Sequence, residues 1–122
     1  METNINPLYG MKSVHKSRIR DGFLNAPKHG FMTSLNIKMD AQREDIDNLT
    51  RLHDRLLKTG TTSTTTVIRD YNNQFHTVTI AELAAIVGEL VDFGLSLYTR
   101  KWECEVALAA ATKEEDVVAV TF

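Results

Sequence analysis

Apolar positions recur at three- and four-residue spacing in two stretches of the chain and alternate in a third. Ile46, Leu49, Leu52 and Leu56, with Met39 one turn earlier and Leu57 alongside, make a narrow apolar stripe. Asp40, Glu44, Asp45, Asp47, Arg51, Asp54 and Arg55 fill the opposite face, so the pattern predicts a helix over Asn36–Lys58. A stripe this narrow suits a coiled-coil or bundle partner. Gly60 supplies the C-terminal stop. After the threonine-rich run 61–66, Thr65–Arg69 and Phe75–Thr79 are rich in strand-forming residues. Asn72 and Asn73 between them accept the positive φ of a tight turn, which predicts a β-hairpin.

Thr79-Ile80-Ala81-Glu82 is a capping box: the threonine hydroxyl and the glutamate carboxylate each accept a backbone N–H that the first turn leaves unpaired. It opens a long helix expected over 80–111, with Gly88 or Gly94 as places to bend. Leu83, Val87, Leu90, Gly94, Leu97 and Lys101 mark one side of it, and Ile86, Val91, Phe93, Leu95, Tyr98 and Trp102 occupy much of the rest. A helix apolar nearly all round is covered on several sides. Two helices and a hairpin supply too little cover, which points to association with other chains. Thr112-Lys113-Glu114-Glu115 is a second box and predicts a short terminal helix ending near Val120.

Residues 1–34 differ. They hold Pro7, Pro27, Gly10, Gly22 and Gly30 and show no sustained period, so they read as an extended arm with at most one or two helical turns between Ser13 and Asn25. The arm is basic. Within 1–30, Lys12, Lys16, Arg18, Arg20 and Lys28 face Glu2 and Asp21, a net of +3, while the remainder is acidic at −5. Such an arm either folds back on its own body or lies on neighbouring subunits, and the charge contrast favours docking on an acidic neighbour. The whole chain, 122 residues with net charge −2, has length for one modest core and lacks the basic excess of a dedicated nucleic-acid binder. No apolar run reaches membrane-spanning length. The first residues lack a secretory leader's order, which implies synthesis in the cytoplasm.

Four groups of residues, in order, carry a family resemblance: Ile37-Lys38-Met39-Asp40-Ala41 with Asp45-Ile46 and Leu49; Ile68 to Asn73 with Phe75 to Thr79; Gly94 to Tyr98 with Lys101-Trp102; and Ala110-Ala111-Thr112 with Glu114-Glu115. Over about residues 35–118 the chain resembles a family of short phage-encoded domains of unassigned function, met in tail, fibre and baseplate gene regions. The resemblance implies phage origin and association with the particle, and it implies no reaction. It leaves the arm outside.

Candidate chemistry concentrates in the hairpin turn, at Asp70, Asn72, Asn73 and His76. Asp70 and His76 facing each other would make an acid–base pair. The structural alternative has Asp70, Asn72 and Asn73 bonding local backbone, with His76 in a cross-strand pair, and it weighs more because no nucleophile sits beside them. His15, His29, His53 and His76 lie far apart and Cys104 stands alone, so neither a metal nor a cofactor is expected. Gly60-Thr61-Thr62 lacks the remaining residues of a phosphate-binding loop. Lys12, Lys16, Arg18 and Arg20 are candidate arm contacts; nucleic acid is the less favoured target, since Tyr9 and Phe23 are too few for a stacking platform. Phe93, Tyr98 and Trp102 suit core or interface packing better than a ligand box.

The expectation is therefore an α+β, mostly α chain: an arm over 1–34, then a helix, a hairpin, a long helix packed antiparallel to the first, and a short C-terminal helix over 35–122. Its helix interface is Ile46, Leu49, Leu52, Leu56, Leu83, Val87, Leu90 and Leu97. The expected role is a non-enzymatic virion component of the tail, baseplate or fibre attachment, made in the host cytoplasm. It would work as a homo-oligomer, trimer or hexamer, with other phage structural proteins as partners and no membrane. A fibre-assembly chaperone absent from the virion, or a head or neck protein whose basic arm meets DNA, are the alternatives.

Overall fold

In a computed structural model, which describes residues 7–122, the chain is α+β and mostly α. Its elements run α1 (Pro7–Asn25), a 3-10 turn (Ala26–His29), β1 (Phe31–Met32), β2 (Lys38–Met39), α2 (Arg43–Thr59), β3 (Thr65–Arg69), β4 (Phe75–Thr79), α3 (Ile80–Ala110) and α4 (Glu114–Ala119). Two compact units form: Ala26–Leu95 is one, and the residues through Asn25 together with Ser96–Phe122 are the other. The border falls within α3.

In the Ala26–Leu95 unit, β3 and β4 pair antiparallel over the residues the sequence predicts, with Ile68 opposite His76 and Thr66 opposite Val78. Strand alternation turns Ile68 and Val78 inward and leaves Val67 and Phe75 exposed. The capping box of α3 forms as expected. Thr79 N–H donates to Glu82 Oε1 at 3.0 Å, and Glu82 N–H donates to Thr79 Oγ1 at 3.1 Å. Leu83, Ile86, Val87 and Leu90, at helical spacing, then meet Ile68, Val78, Met39 and Ala41 in one buried core. Ile46, Leu49, Leu52 and Leu56 of α2 are half-buried against that core.

The partner of the α2 stripe is thus α3 of the same chain. The two helices run antiparallel: a methyl placed on Gly94 would lie 3.6 Å from Ile46 Cδ1, and one placed on Gly60 would lie 2.9 Å from Ile80 Cδ1. Gly60 also closes α2, its N–H bonding Leu56 O at 2.7 Å.

The start of the first predicted helix needs correction. Asn36–Gln42 is not helical; it holds β2, paired with β1 so that Phe31 faces Met39. The Thr33 hydroxyl donates to Ile37 O at 2.8 Å, and Asn36 takes φ 61°, which together close a tight turn where the apolar pattern alone suggested helix. The helix begins only at Arg43, with Gln42 N–H donating to Asp45 Oδ2 at 3.2 Å. Gly30, at φ +73°, lets this segment reach the hairpin, because a Cβ there would fall 2.7 Å from the Tyr71 ring.

The second unit overturns the extended arm. Residues 7–25 form the helix α1, and the first six residues of the expected arm lie outside the described ones. The prolines bracket this helix instead of breaking it. Pro7 is its first residue, where its missing N–H is not needed, and Pro27 follows its end. The apolar side chains of α1 are scattered around it, with Tyr9, Val14 and Leu24 exposed and Ile19 alone fully buried, so no apolar period announces it. Ile19 packs with Leu108, Ala111 and Val117, flanked by Leu8, Met11, Cys104, Val120 and Phe122. The C-terminal half of α3, which the sequence reading covered with other chains, therefore finds cover from α1 and α4 of its own chain. The second capping box is also corrected. Burial of Val117 sets the frame of α4, which starts at Glu114 after Lys113 with no side-chain cap hydrogen bond.

Candidate functional site

The hairpin turn gathers all four of its candidate residues. The strand register brings Asp70 opposite Gln74, where Asp70 N–H donates to Gln74 O at 2.8 Å and Asn73 N–H donates to Asp70 O at 3.1 Å. Asn73 takes φ 62°, the left-handed turn conformation that asparagine tolerates. The Asp70 side chain, in a residue only 7% exposed, lies inside the turn. Its Oδ1 accepts N–H bonds from Asn72 at 2.8 Å and Gln74 at 2.9 Å, and its Oδ2 meets His76 Nε2 at 2.7 Å.

These bonds define what the cluster does chemically. The His76 hydrogen bond, followed by the Gln74 N–H, holds the Asp70 carboxyl below the ordinary aspartate value, and burial opposes them. A carboxylate so held stays ionised and serves as an acceptor for the turn. Both of its oxygens are committed within the hairpin. Tyr71 fastens the turn to β2: its N–H donates to Lys38 O at 2.8 Å, and Lys38 Nζ lies 4.1 Å from the centre of its ring. Asp70 and His76 face each other, as both readings of the turn require, with the His76 ring reaching Asp70 diagonally while its Cα partner is Ile68.

Of the candidate arm residues, three share a face and one does not. Lys12, Lys16 and Arg20 step along α1 at four-residue intervals, whereas Arg18 points about the other way. Lys12 Nζ donates to Ala109 O at 3.1 Å, one of the carbonyls that the last turn of α3 leaves unpaired. Lys16 and Arg20 are exposed and stand opposite Lys101 and Glu105 of α3. Sequence reasoning counted Lys101 with the apolar side of α3 and so missed it. The available signal was the spacing of Ser13, Lys16, Ser17 and Arg20, a helical period written in polar residues.

The aromatic candidates separate. Phe93 stacks on Phe31 at 4.8 Å in one unit. In the other, Tyr98 packs on Phe23 at 4.8 Å and lies 5.7 Å from Trp102. Among the described residues, no three His, Cys, Asp or Glu side chains are placed to hold a metal ion, and no helix is long and apolar enough to cross a membrane.

A family of domains of unknown function, DUF4376, matches residues 11–121. The chain belongs to that family. The DUF4376 match runs from the first turns of α1 to the penultimate residue, so most of the segment that the sequence reading left outside its resemblance lies inside the family domain. This agrees with the packing of Ile19 against Leu108 and Val117, which makes α1 an integral element. No curated protein and no solved structure matches the chain.

Proposed function

We propose that this DUF4376 chain is a bacteriophage virion structural protein, a minor component of the tail, baseplate or fibre attachment that acts through protein–protein contacts. The observation that carries the reading is the outer face of α3, where Trp102 is 58% exposed and Val106, one turn on, 70%. Large apolar side chains left in water at adjoining positions mark contact surfaces, and tryptophan is prominent among residues that dominate interface energy. The ordered residue set of the phage resemblance supplies the setting.

The experiment is quantitative mass spectrometry of gradient-purified particles, scaled to the major tail and capsid proteins, for the native chain and Trp102→Ala. A fixed copy number for the native chain, a multiple of three or six for a trimer or hexamer, and loss of the variant from particles are expected. Abundance in infected-cell lysate with absence from particles would overturn the reading in favour of an assembly chaperone.

A further inference from the structure

The cationic face of α1 borders a groove against α3, within a single unit. At one end Ser13, Lys16, Ser17 and Arg20 of α1, with Lys101 and Glu105 of α3, line a cleft of about 240 Å³. A second cleft of about 400 Å³ shares Ser13, Lys16 and Glu105 and adds Tyr9, Lys12 and Leu108. The two therefore adjoin. Lys12, Lys16, Arg20 and Lys101 give the groove four positive charges against two carboxylates, Glu105, which pairs with Lys101 at 3.7 Å, and Asp21, which lies 3.9 Å from Arg20 Nε.

The spacing is regular. Successive cations on α1 are four residues apart, about 6 Å along the axis, which matches acidic side chains one turn apart on a partner helix. Trp102 is linked to the Lys101 end of the groove through ring contacts: Lys101 Nζ lies 5.0 Å from the centre of the Phe23 ring, Phe23 packs on Tyr98 at 4.8 Å, and Tyr98 lies 5.7 Å from Trp102.

Two polyanions fit the positive charge, an acidic protein segment and a nucleic acid, and the lining chooses between them. A nucleic-acid backbone would set uniform negative charge against Glu105, and the exposed Tyr9 and Trp102 are too few for a stacking platform. A protein segment mixes acidic groups with apolar ones and can answer both. We infer that this groove receives an acidic amphipathic segment of a partner protein, its carboxylates on Lys12, Lys16, Arg20 and Lys101 and its apolar side chains on the exposed rings of Tyr9 and Trp102. The inference rests on the contact role proposed above and gives that partner its chemistry.

The test uses the full chain and its single tryptophan, Trp102. The probe is a synthetic helical peptide carrying glutamate at every fourth position and leucine beside it, followed by Trp102 fluorescence in about 0.15 M salt. Binding should weaken about tenfold or more when the glutamates become glutamine, and again in Lys16→Glu with Arg20→Glu, where like charges oppose. Exchanging the two cations (Lys16→Arg with Arg20→Lys) should retain binding. Equal affinity for the glutamine peptide overturns the inference on the native protein alone, even if the charge-reversed chain fails to fold. Tighter binding of a short DNA duplex than of the acidic peptide overturns it in favour of nucleic acid.

Particle incorporation separates the two proposals. If the charge-reversed chain enters particles at the normal copy number, the groove assignment falls and the virion role stands. If the native chain is absent from particles while the acidic peptide binds selectively, the virion role falls and the groove assignment stands.

Discussion

Leu83→Ala tests whether the Ala26–Leu95 unit is organised around the first turns of α3. Leu83 is 0% exposed and packs where α3 meets the hairpin and the β2 segment, among Met39, Ile68, Val78 and Leu90. The substitution removes three carbons, worth about 0.8 kcal/mol each in transfer free energy, or about 2.4 kcal/mol. The surroundings are contributed by strands and by α3 itself, so they collapse only in part, and the residual cavity raises the loss to about 3–4 kcal/mol. Against a total stability of about 5–15 kcal/mol, that is a large fraction. Urea unfolding followed by circular dichroism should show the midpoint falling with little change in slope. Leu57→Ala is the internal control. Leu57 lies alongside the predicted α2 stripe but is 64% exposed, so its truncation should move stability by no more than about 0.5 kcal/mol. A loss under about 1 kcal/mol for Leu83→Ala, or equal losses for the two leucines, would refute the assignment of this core.

Two further outcomes follow from the hairpin and from α1. The Asp70 carboxyl titrates below its ordinary value of 3.8 because His76 and the Gln74 N–H bind its charged form. A lowered folded-state pKa contributes stability that is complete above the unfolded value and is lost as pH falls through the folded one. Urea midpoints measured from about pH 5 to about pH 2 should therefore decline below 3.8, and Asp70→Asn should flatten that decline while destabilising the neutral protein. An identical acid limb in the variant would contradict this. Deleting residues 1–25 should unfold more than α1, because it uncovers Leu108, Ala111 and Val117; the loss of Ile19 burial alone is about 1.5–3 kcal/mol. Hydrogen exchange that leaves α4 as protected as in the full chain would show that α1 is dispensable to this core.

What the residues disclosed depended on whether local chemistry or distant packing decided each element. The hairpin and the start of α3 were legible to the residue, because the turn asparagines and the Thr79–Glu82 box act over three or four positions. The β1–β2 turn was hidden by its neighbours. Ile37 and Met39 extend the apolar pattern toward α2, and only the Thr33 hydroxyl bond and the positive φ of Asn36 divert the chain. In α1 the difficulty was of another kind. Prolines and glycines were read as breakers when Pro7 and Pro27 stand at the helix boundaries, and Gly10 and Gly22 cost a helix interior only about 0.5–1 kcal/mol each. At the candidate sites, the turn residues were found because their bonds are local. Lys101 was missed because only the packing of α3 on α1 brings it beside Lys16 and Arg20.

The helical state of α1 changes how a basic N-terminal segment acts. An extended arm would present its cations at variable separations and order only on a neighbour. A helix of this composition, with its apolar residues scattered around it, is marginal by itself in water, and most of its stability must come from packing. Ile19, Leu8 and Met11 provide that packing against Leu108 and Val117. The regular spacing of Lys12, Lys16 and Arg20 is consequently a property of the small core beneath them, and groove and core are thermodynamically linked. A segment that binds only the folded groove stabilises it by RT ln(1 + [L]/Kd), about 2.7 kcal/mol at a hundredfold excess over Kd. That gain is comparable to the contribution of Ile19 itself. Occupying the groove would thus set the helix that presents it, so in this unit recognition of an acidic partner and completion of the fold draw on the same interactions.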